Sequence, residues 1–320
     1  MTRPIVVALN PLHPQALALA TQHFDLILPS SERFKDWRQH AQGLLTISGS
    51  VTKEDVDVVR EYRKLKYVAK QGTGVDMLDL KALEDAGIVV MNTPGINAVA
   101  ELALGLIIDV ARRISTTHAR FYAGEPINKA DGWSGQTLFG KTIGGGDTGF
   151  ALARMFQSAF NGHVILYDPF LSAADLERWE RGIPPTFITR TSSFNDLLTQ
   201  SDTISLHCPL TKDTKGMIAA PHFDLMKRSA VLINVARGGI VDEADLEVAL
   251  REGKIIGAGV DVTVVEPPTQ ERYEGLCRAG CVITPHYGAA PADVQEATCL
   301  AMVEHMIEAL KGGNIKHRVV

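Results

Sequence analysis

The chain has 320 residues, 45% of them hydrophobic and 22% charged, with a formal net charge of −5. That is the composition of a soluble globular protein of about two domains, each able to bury a core without metal or disulfide staples. No basic block stands out, which argues against a nucleic-acid partner, and no stretch approaches the roughly 18 uninterrupted apolar residues of a membrane span. The opening Met1–Leu9 carries a short apolar run that reads as a first β-strand, not as a secretory leader. The four cysteines, Cys208, Cys277, Cys281 and Cys299, are too few for a disulfide framework and read as reduced thiols of a cytoplasmic protein. Cys277 and Cys281 with His286 lack the spacing and the fourth ligand of a zinc set, so no metal is expected.

In chain order, apolar runs at Ile5–Leu9, Phe24–Leu28, Leu44–Ile47, Lys66–Ala69 and Ile88–Val90 predict strands. Helical spacing at Gln15–Thr21, Thr52–Tyr62 and Asp79–Asp85 alternates with them. Such alternation implies a parallel sheet covered on both faces. Gln71-Gly72-Thr73-Gly74-Val75-Asp76 follows the fourth strand, where bare amides at a strand end suit either a small anion or a tight turn. Asn92-Thr93-Pro94-Gly95 is a turn cluster suited to a hinge, and Asn97 to about His118 predicts one long, strongly apolar helix. Residues 123–136 read as a polar, extended connection.

A second α/β unit begins at Leu138. Gly144, Gly146 and Gly149 form a Gly-x-Gly-x-x-Gly turn, followed by a helix over Phe150–Phe160 and a strand, His163–Tyr167, that ends on Asp168. Turn, helix, strand and acid in this order predict a dinucleotide site. The glycines give a tight turn and close backbone approach to pyrophosphate, the helix N-terminus offers N–H groups, and the acid accepts the ribose hydroxyls. An acid there repels a 2′-phosphate, which favours NAD over NADP. Further on, Phe194–Thr199 and Asp242–Glu252 read as helices, and Thr203–Leu206, Ala230–Asn234, Ile256–Val262 and Cys281–Thr284 as strands. Ala292–Lys311 reads as a closing helix.

Arg237, Glu266 and His286 each follow one of those strands. A nicotinamide-dependent ketone reductase needs a cation for the substrate carboxylate and a proton donor at the carbonyl. Arginine suits the first through its bidentate fork, and histidine the second through titration near neutral pH. A carboxylate beside the imidazole favours its protonated form and fixes its tautomer.

The chain resembles the D-isomer-specific 2-hydroxyacid dehydrogenase family over almost its whole length. The resemblance is carried by Gly72-Thr73-Gly74-Val75-Asp76, Asn92-Thr93-Pro94 with Asn97 and Ala100-Glu101, Asp147-Thr148-Gly149 and Tyr167-Asp168-Pro169. It continues through His207-Cys208-Pro209-Leu210-Thr211, Asn234 to Gly239, Gly259 to Val262, Glu266-Pro267 and Thr284-Pro285-His286. It implies two doubly wound parallel-sheet α/β domains, a Rossmann-type NAD-binding domain (97–288) inserted in a flavodoxin-like substrate-binding domain (1–96 and 289–320). The two would be joined by a hinge and usually form a homodimer. It implies that Arg237 binds the substrate carboxylate and polarises the ketone, that His286 is the acid/base and that Glu266 tunes it. The amides of Gly72, Thr73 and Gly74 would take the carboxylate. Asp147, Thr148 and Asp168 would hold pyrophosphate and ribose, and Cys208, Pro209, Val235 and Asp261 would line adenosine and nicotinamide.

One stretch departs from the family. Only Lys141, Thr142 and Ile143 separate Gly140 from the first glycine of the turn, so about three residues are missing and the strand loses roughly 10 Å of reach. The expected repair draws Leu138 and Phe139 into the strand, with Gly140 inside it; the alternative displaces the turn. The sequence therefore predicts an NAD-dependent oxidoreductase interconverting a small 2-oxo acid and its D-2-hydroxy acid. The alternative is a weakly active or inactive dinucleotide-sensing protein of the same fold. Specificity is expected from residues around Thr46–Val51 and Gln71–Gly74, and the absence of arginine from Thr46–Ser50 disfavours a phosphorylated substrate.

Overall fold

The computed structural model describes residues 3–128, 135–146 and 149–320. The chain divides into two compact units, residues 1–96 with 289–320, and residues 97–288.

The first unit opens with β1 (Ile5–Ala8), α1 (Pro14–His23), β2 (Asp25–Ile27), α2 (Trp37–His40) and β3 (Gly43–Thr46). It continues through α3 (Lys53–Tyr62), β4 (Tyr67–Gln71), α4 (Leu80–Asp85) and β5 (Val89–Thr93). All five strands pair in parallel, in the order β2-β1-β3-β4-β5. Successive side chains alternate between two cores, as the two-residue period of a strand requires. Val7, Leu44, Val68 and Val90 pack with α2, α3 and α4 on one face. Val6, Ala8, Leu45, Ala69 and Met91 face the other. α3 starts where Thr52 and Asp55 form a reciprocal capping box, satisfying two helix-end donors.

The second unit begins with α5 (Ile96–Arg112) and α6 (Ile114–Tyr122). One helix was expected from Asn97 to about His118. Arg113 instead adopts a left-handed φ of 53°, and the Asp109 carboxylate accepts the Ser115 N–H at 2.7 Å, so a new helix starts with its own acid. Part of the expected extended connection, residues 129–134, lies outside the described residues.

Then follow β6 (Thr142–Gly145), α7 (Phe150–Phe160), β7 (His163–Leu166), α8 (Ala173–Gly182), β8 (Ile188–Arg190) and α9 (Phe194–Gln200). The unit ends with β9 (Thr203–Leu206), α10 (Ala220–Leu225), β10 (Val231–Asn234), α11 (Glu243–Arg251), β11 (Gly257–Val260), α12 (Gln270–Arg278) and β12 (Cys281–Ile283). Its seven strands are parallel in the order β12-β11-β10-β9-β6-β7-β8. The chain leaves β6 in one direction to β7 and β8, then crosses to β9 on β6's other side. That is the Rossmann order, with its switch point between β6 and β9 at the carboxyl edge, where ligands bind. β11 is built from small residues because α5 lies directly on it. A Cβ at Gly257 would stand 2.6 Å from Val110 Cγ1, and one at Gly259 would stand 3.0 Å from Leu106 Cβ.

The chain then returns to the first unit as α13 (Ala292–Leu310), whose Cys299, Met302, Val303 and Met306 complete the core begun by Val6 and α1. The last residues run antiparallel along β5. Val319 N–H donates to Val90 O at 2.7 Å and Asn92 N–H to His317 O at 3.1 Å, which covers that sheet edge.

The shortened strand is repaired differently from expectation. Leu138 and Phe139 stay outside β6, and Gly140 sits in a turn at φ 70°. The missing length comes from the other side: Gly144 and Gly145 pair with Ile165 and Leu166 as strand residues. The sheet requires backbone hydrogen bonds, which glycine supplies as well as any residue. Parallel register with β7 and β9 therefore outweighs glycine's weak strand preference.

Candidate active site

The repair divides the glycine triplet. Gly144 lies inside the sheet beneath α9, where a Cβ would stand 2.4 Å from Ser201 Oγ and 2.8 Å from Leu197 Cγ. Gly146, just beyond the strand, faces the acid. A Cβ there would lie 3.3 Å from Tyr167 O and 3.5 Å from Asp168 Oδ2. Gly149 is the N-cap residue of α7, and a Cβ there would stand 2.8 Å from His207 Cδ2. Asp147 and Thr148 lie outside the described residues. Gly146 and Gly149 thus remain at the turn between β6 and α7, while Gly144 packs inside the sheet. Bare backbone between a helix N-terminus and a carboxylate suits a dinucleotide's pyrophosphate and ribose.

Two groups from β9 close in on this edge. The Asp168 charge reaches Cys208, whose thiol is raised above its ordinary pKa first by burial and further by that carboxylate. His207 places Nε2 2.8 Å from Ser205 Oγ, and burial lowers its pKa to about 4. Pro209 is exposed, its carbonyl accepting the Thr214 hydroxyl at 2.7 Å. Val235 is buried in the core beside α5.

Arg237, Glu266 and His286 follow the adjacent strands β10, β11 and β12, so all three stand on one carboxyl edge. His286 Nδ1 lies 2.9 Å from Glu266 Oε2, with both side chains partly open to solvent at 51% and 37% exposure. Around them the loops are braced. Asn234 donates to Arg237 O at 2.9 Å and accepts from Ala236 N–H at 3.1 Å, and Arg237 Nη1 donates to Ala236 O at 2.6 Å. Glu266 Oε1 accepts the Thr263 N–H at 3.3 Å, and Glu243 Oε1 accepts from both Val264 N–H and Tyr273 Oη.

His286 has a left-handed φ of 58°, a conformation that costs a side-chain-bearing residue about 1–3 kcal/mol. Asp261 holds it there. Its carbonyl accepts the His286 N–H at 2.7 Å. Its carboxylate, 2% exposed, accepts from Thr284 Oγ1 (2.5 Å), Tyr287 N–H (2.7 Å) and Gly288 N–H (2.9 Å). Glu243, Tyr273 and Thr263 were not singled out from the sequence, and Asn234 entered only as part of the family resemblance. The signal that could have found them is a polar residue beside each of the three reactive ones, too common a pattern to weigh without coordinates.

In the first unit, the Gly72 loop also follows a strand end. The Gly72 N–H already donates to Thr93 O at 3.1 Å, and Asn92 Nδ2 donates to Thr73 O at 3.0 Å. Any anion held there by backbone falls to the Thr73 and Gly74 amides.

A Rossmann-order sheet with bare glycine backbone facing an acid, and an imidazole–carboxylate pair on the same edge, defines a dinucleotide-binding oxidoreductase. Residues 104–288 match the family model for the D-isomer specific 2-hydroxyacid dehydrogenase, NAD binding domain. The chain is 34% identical to the hydroxypyruvate reductase of Thermotoga maritima over 97% of this chain and 99% of that protein. It is 33% identical to the D-3-phosphoglycerate dehydrogenase of Methanocaldococcus jannaschii over 96% of this chain, but spans only 57% of that relative's length. The crystal structure of the TT0316 protein from Thermus thermophilus superposes with a TM-score of 0.81 at 30% identity, covering 99% of this chain and all of that one. The chain belongs to the D-isomer specific 2-hydroxyacid dehydrogenase family, and its cofactor is NAD. Among the described residues, no helix is long and apolar enough to cross a membrane.

Proposed function

We propose that the protein is a reductase of small, unphosphorylated 2-oxo acids, forming the D-2-hydroxy acid and able to run in reverse. The observation that carries this reading is the 2.9 Å approach of His286 Nδ1 to Glu266 Oε2 on the edge that also carries Arg237. With the Nδ1 proton directed to Glu266, Nε2 is left to exchange a proton with the substrate's carbonyl oxygen. Arg237 holds the substrate carboxylate through its planar fork and polarises the ketone. In the first unit, the Thr73 and Gly74 amides suit a carboxylate. Gly146, Gly149 and Asp168 seat the dinucleotide together with Asp147 and Thr148. Cys208, Pro209, Val235 and Asp261 border its two rings, and Asp261 also orders the His286 loop. When bound, NAD supplies or accepts the hydride.

The Thermotoga maritima relative is a hydroxypyruvate reductase, which supports hydroxypyruvate and acids of similar size as substrates. NADH consumption with glyoxylate, hydroxypyruvate and pyruvate tests the reading, with His286→Ala as control. Turnover by the natural protein and its loss in the variant are expected; equal rates in both would refute the assignment of His286. The reading extends to a homodimer, because α6 exposes Ile114, Phe121 and Tyr122, more apolar surface than a solvated helix ordinarily carries. Light scattering at the mass of one chain would remove that part.

A further inference from the structure

We propose that Asn10 plugs an anion-binding nest in the first unit, and that this plug restricts the enzyme to 2-oxo acids whose far end is uncharged. The inference rests on the substrate reading above, which gives the Thr73 and Gly74 amides, just beyond β4, to a substrate carboxylate.

Three consecutive backbone amides, Ile47, Ser48 and Gly49, converge on Asn10 Oδ1 at 2.9, 3.1 and 3.1 Å. Successive N–H groups aimed at one point make a concavity that suits an oxyanion. Here a neutral amide oxygen from the chain itself fills it. Three donors fix that atom as the oxygen, and the amide nitrogen is held in turn by Ser48 Oγ at 3.1 Å. The loop is also held at Gly49. A Cβ at Gly49 would stand 2.8 Å from Leu9 Cβ, and Thr46 Oγ1 donates to Gly49 O at 2.9 Å.

Lys70, only 8% exposed, links this nest to the substrate loop. Its ammonium donates to Ile47 O at 2.6 Å and to Gln71 O at 2.5 Å, the residue before Gly72. One buried cation therefore stands behind both loops. Adjacent strands lie about 4.8 Å apart, of the order of the distance between the two ends of a short oxo acid. The Gly72 loop is left open to the first carboxylate, and the neighbouring nest is closed to a second anionic group. A dicarboxylate or phosphorylated acid has to displace Asn10 and break its hydrogen bonds to the three amides, to Thr46 Oγ1 and to Ser48 Oγ. An acid ending in hydrogen, methyl or hydroxymethyl does not.

The test compares the natural protein with Asn10→Gly, which empties the nest, and Asn10→Asp, which keeps an acceptor but adds a negative charge. The ratio of kcat/KM for oxaloacetate to that for hydroxypyruvate is expected to rise about tenfold or more in Asn10→Gly and to fall in Asn10→Asp. Inorganic phosphate is expected to raise the Tm of Asn10→Gly and to leave the natural protein and Asn10→Asp unchanged. An Asn10→Gly protein that binds NADH normally, keeps the natural ratio and ignores phosphate overturns the proposal. So does an unchanged ratio in Asn10→Asp, should the glycine variant fail to fold. If the natural protein reduces no 2-oxo acid at all, the substrate reading fails, and the phosphate measurement still decides whether Asn10 fills an anion nest.

Discussion

Along the carboxyl edge of the second unit, the β10–β12 flank carries its candidate chemistry on side chains and the β6–β7 flank carries it on bare backbone. The first flank is over-determined. Asp261 alone accepts four bonds from the loop that presents His286, and Glu243 and Asn234 brace the loops of Glu266 and Arg237. The second flank has lost strand length and recovered it by turning two of its glycines into sheet residues. A side-chain site tolerates backbone change if its bracing survives. A backbone site has nothing to exchange except its own turn.

The sharpest way to break the comparison is His286→Gln, which keeps polarity and removes the acid. It should lower kcat by about 10²–10⁴-fold with NADH binding intact. A loss below tenfold would mean that this flank does not carry the proton transfer. Asp261→Ala comes next. It leaves three donors without their buried carboxylate, which should cost about 3 kcal/mol or more and release the strained His286 backbone. Denaturant unfolding and kcat should therefore fall together. A stable variant with normal kcat would show that the bracing is incidental.

The backbone flank is probed by paired substitutions of its two glycines. Gly144→Val should destabilise by up to about 3 kcal/mol, since Ser201 and Leu197 already occupy the space. Gly146→Val should destabilise less than Gly144→Val and weaken NADH binding, because a Cβ there would stand 3.3 Å from Tyr167 O and 3.5 Å from Asp168 Oδ2, on the edge proposed for the dinucleotide. Calorimetric titration with NADH and thermal unfolding of both variants separate the two roles. Equal effects would mean that the triplet had not been divided.

Much of this was legible in the chain. Strand-and-helix alternation gave the parallel sheets, because buried parallel strands are short apolar runs. Arg237, Glu266 and His286 could be placed on one edge because each follows such a run. The repair of β6 was not legible, since Gly144 and Gly145 carry turn chemistry in sequence, and only pairing with Ile165 and Leu166 makes them strand. Arg113 ended α5 without Gly or Pro to mark it. The Asn10 nest was invisible for a different reason: it joins residues 37 to 39 positions apart in sequence.

The smallest expected effect comes from His207, where the two flanks' logic meets, a side chain supporting the glycine turn. Its pKa is lowered from 6.5 to about 4 by burial, so the unfolded chain binds its proton more readily than the folded one. The stability tied to the neutral ring is present in full above the unfolded value. It is lost as pH falls through the window from 6.5 to about 4. Because the residue keeps some surface, the loss between about pH 7 and pH 5 should be at most about 2 kcal/mol. His207→Asn removes the titration while leaving a donor for Ser205 Oγ, so its urea midpoint should vary less across that range than the natural protein's. If the two pH profiles run parallel, the imidazole under Gly149 is already open to water, and the glycine flank rests on a softer floor than the nearness of Gly149 to its ring implies.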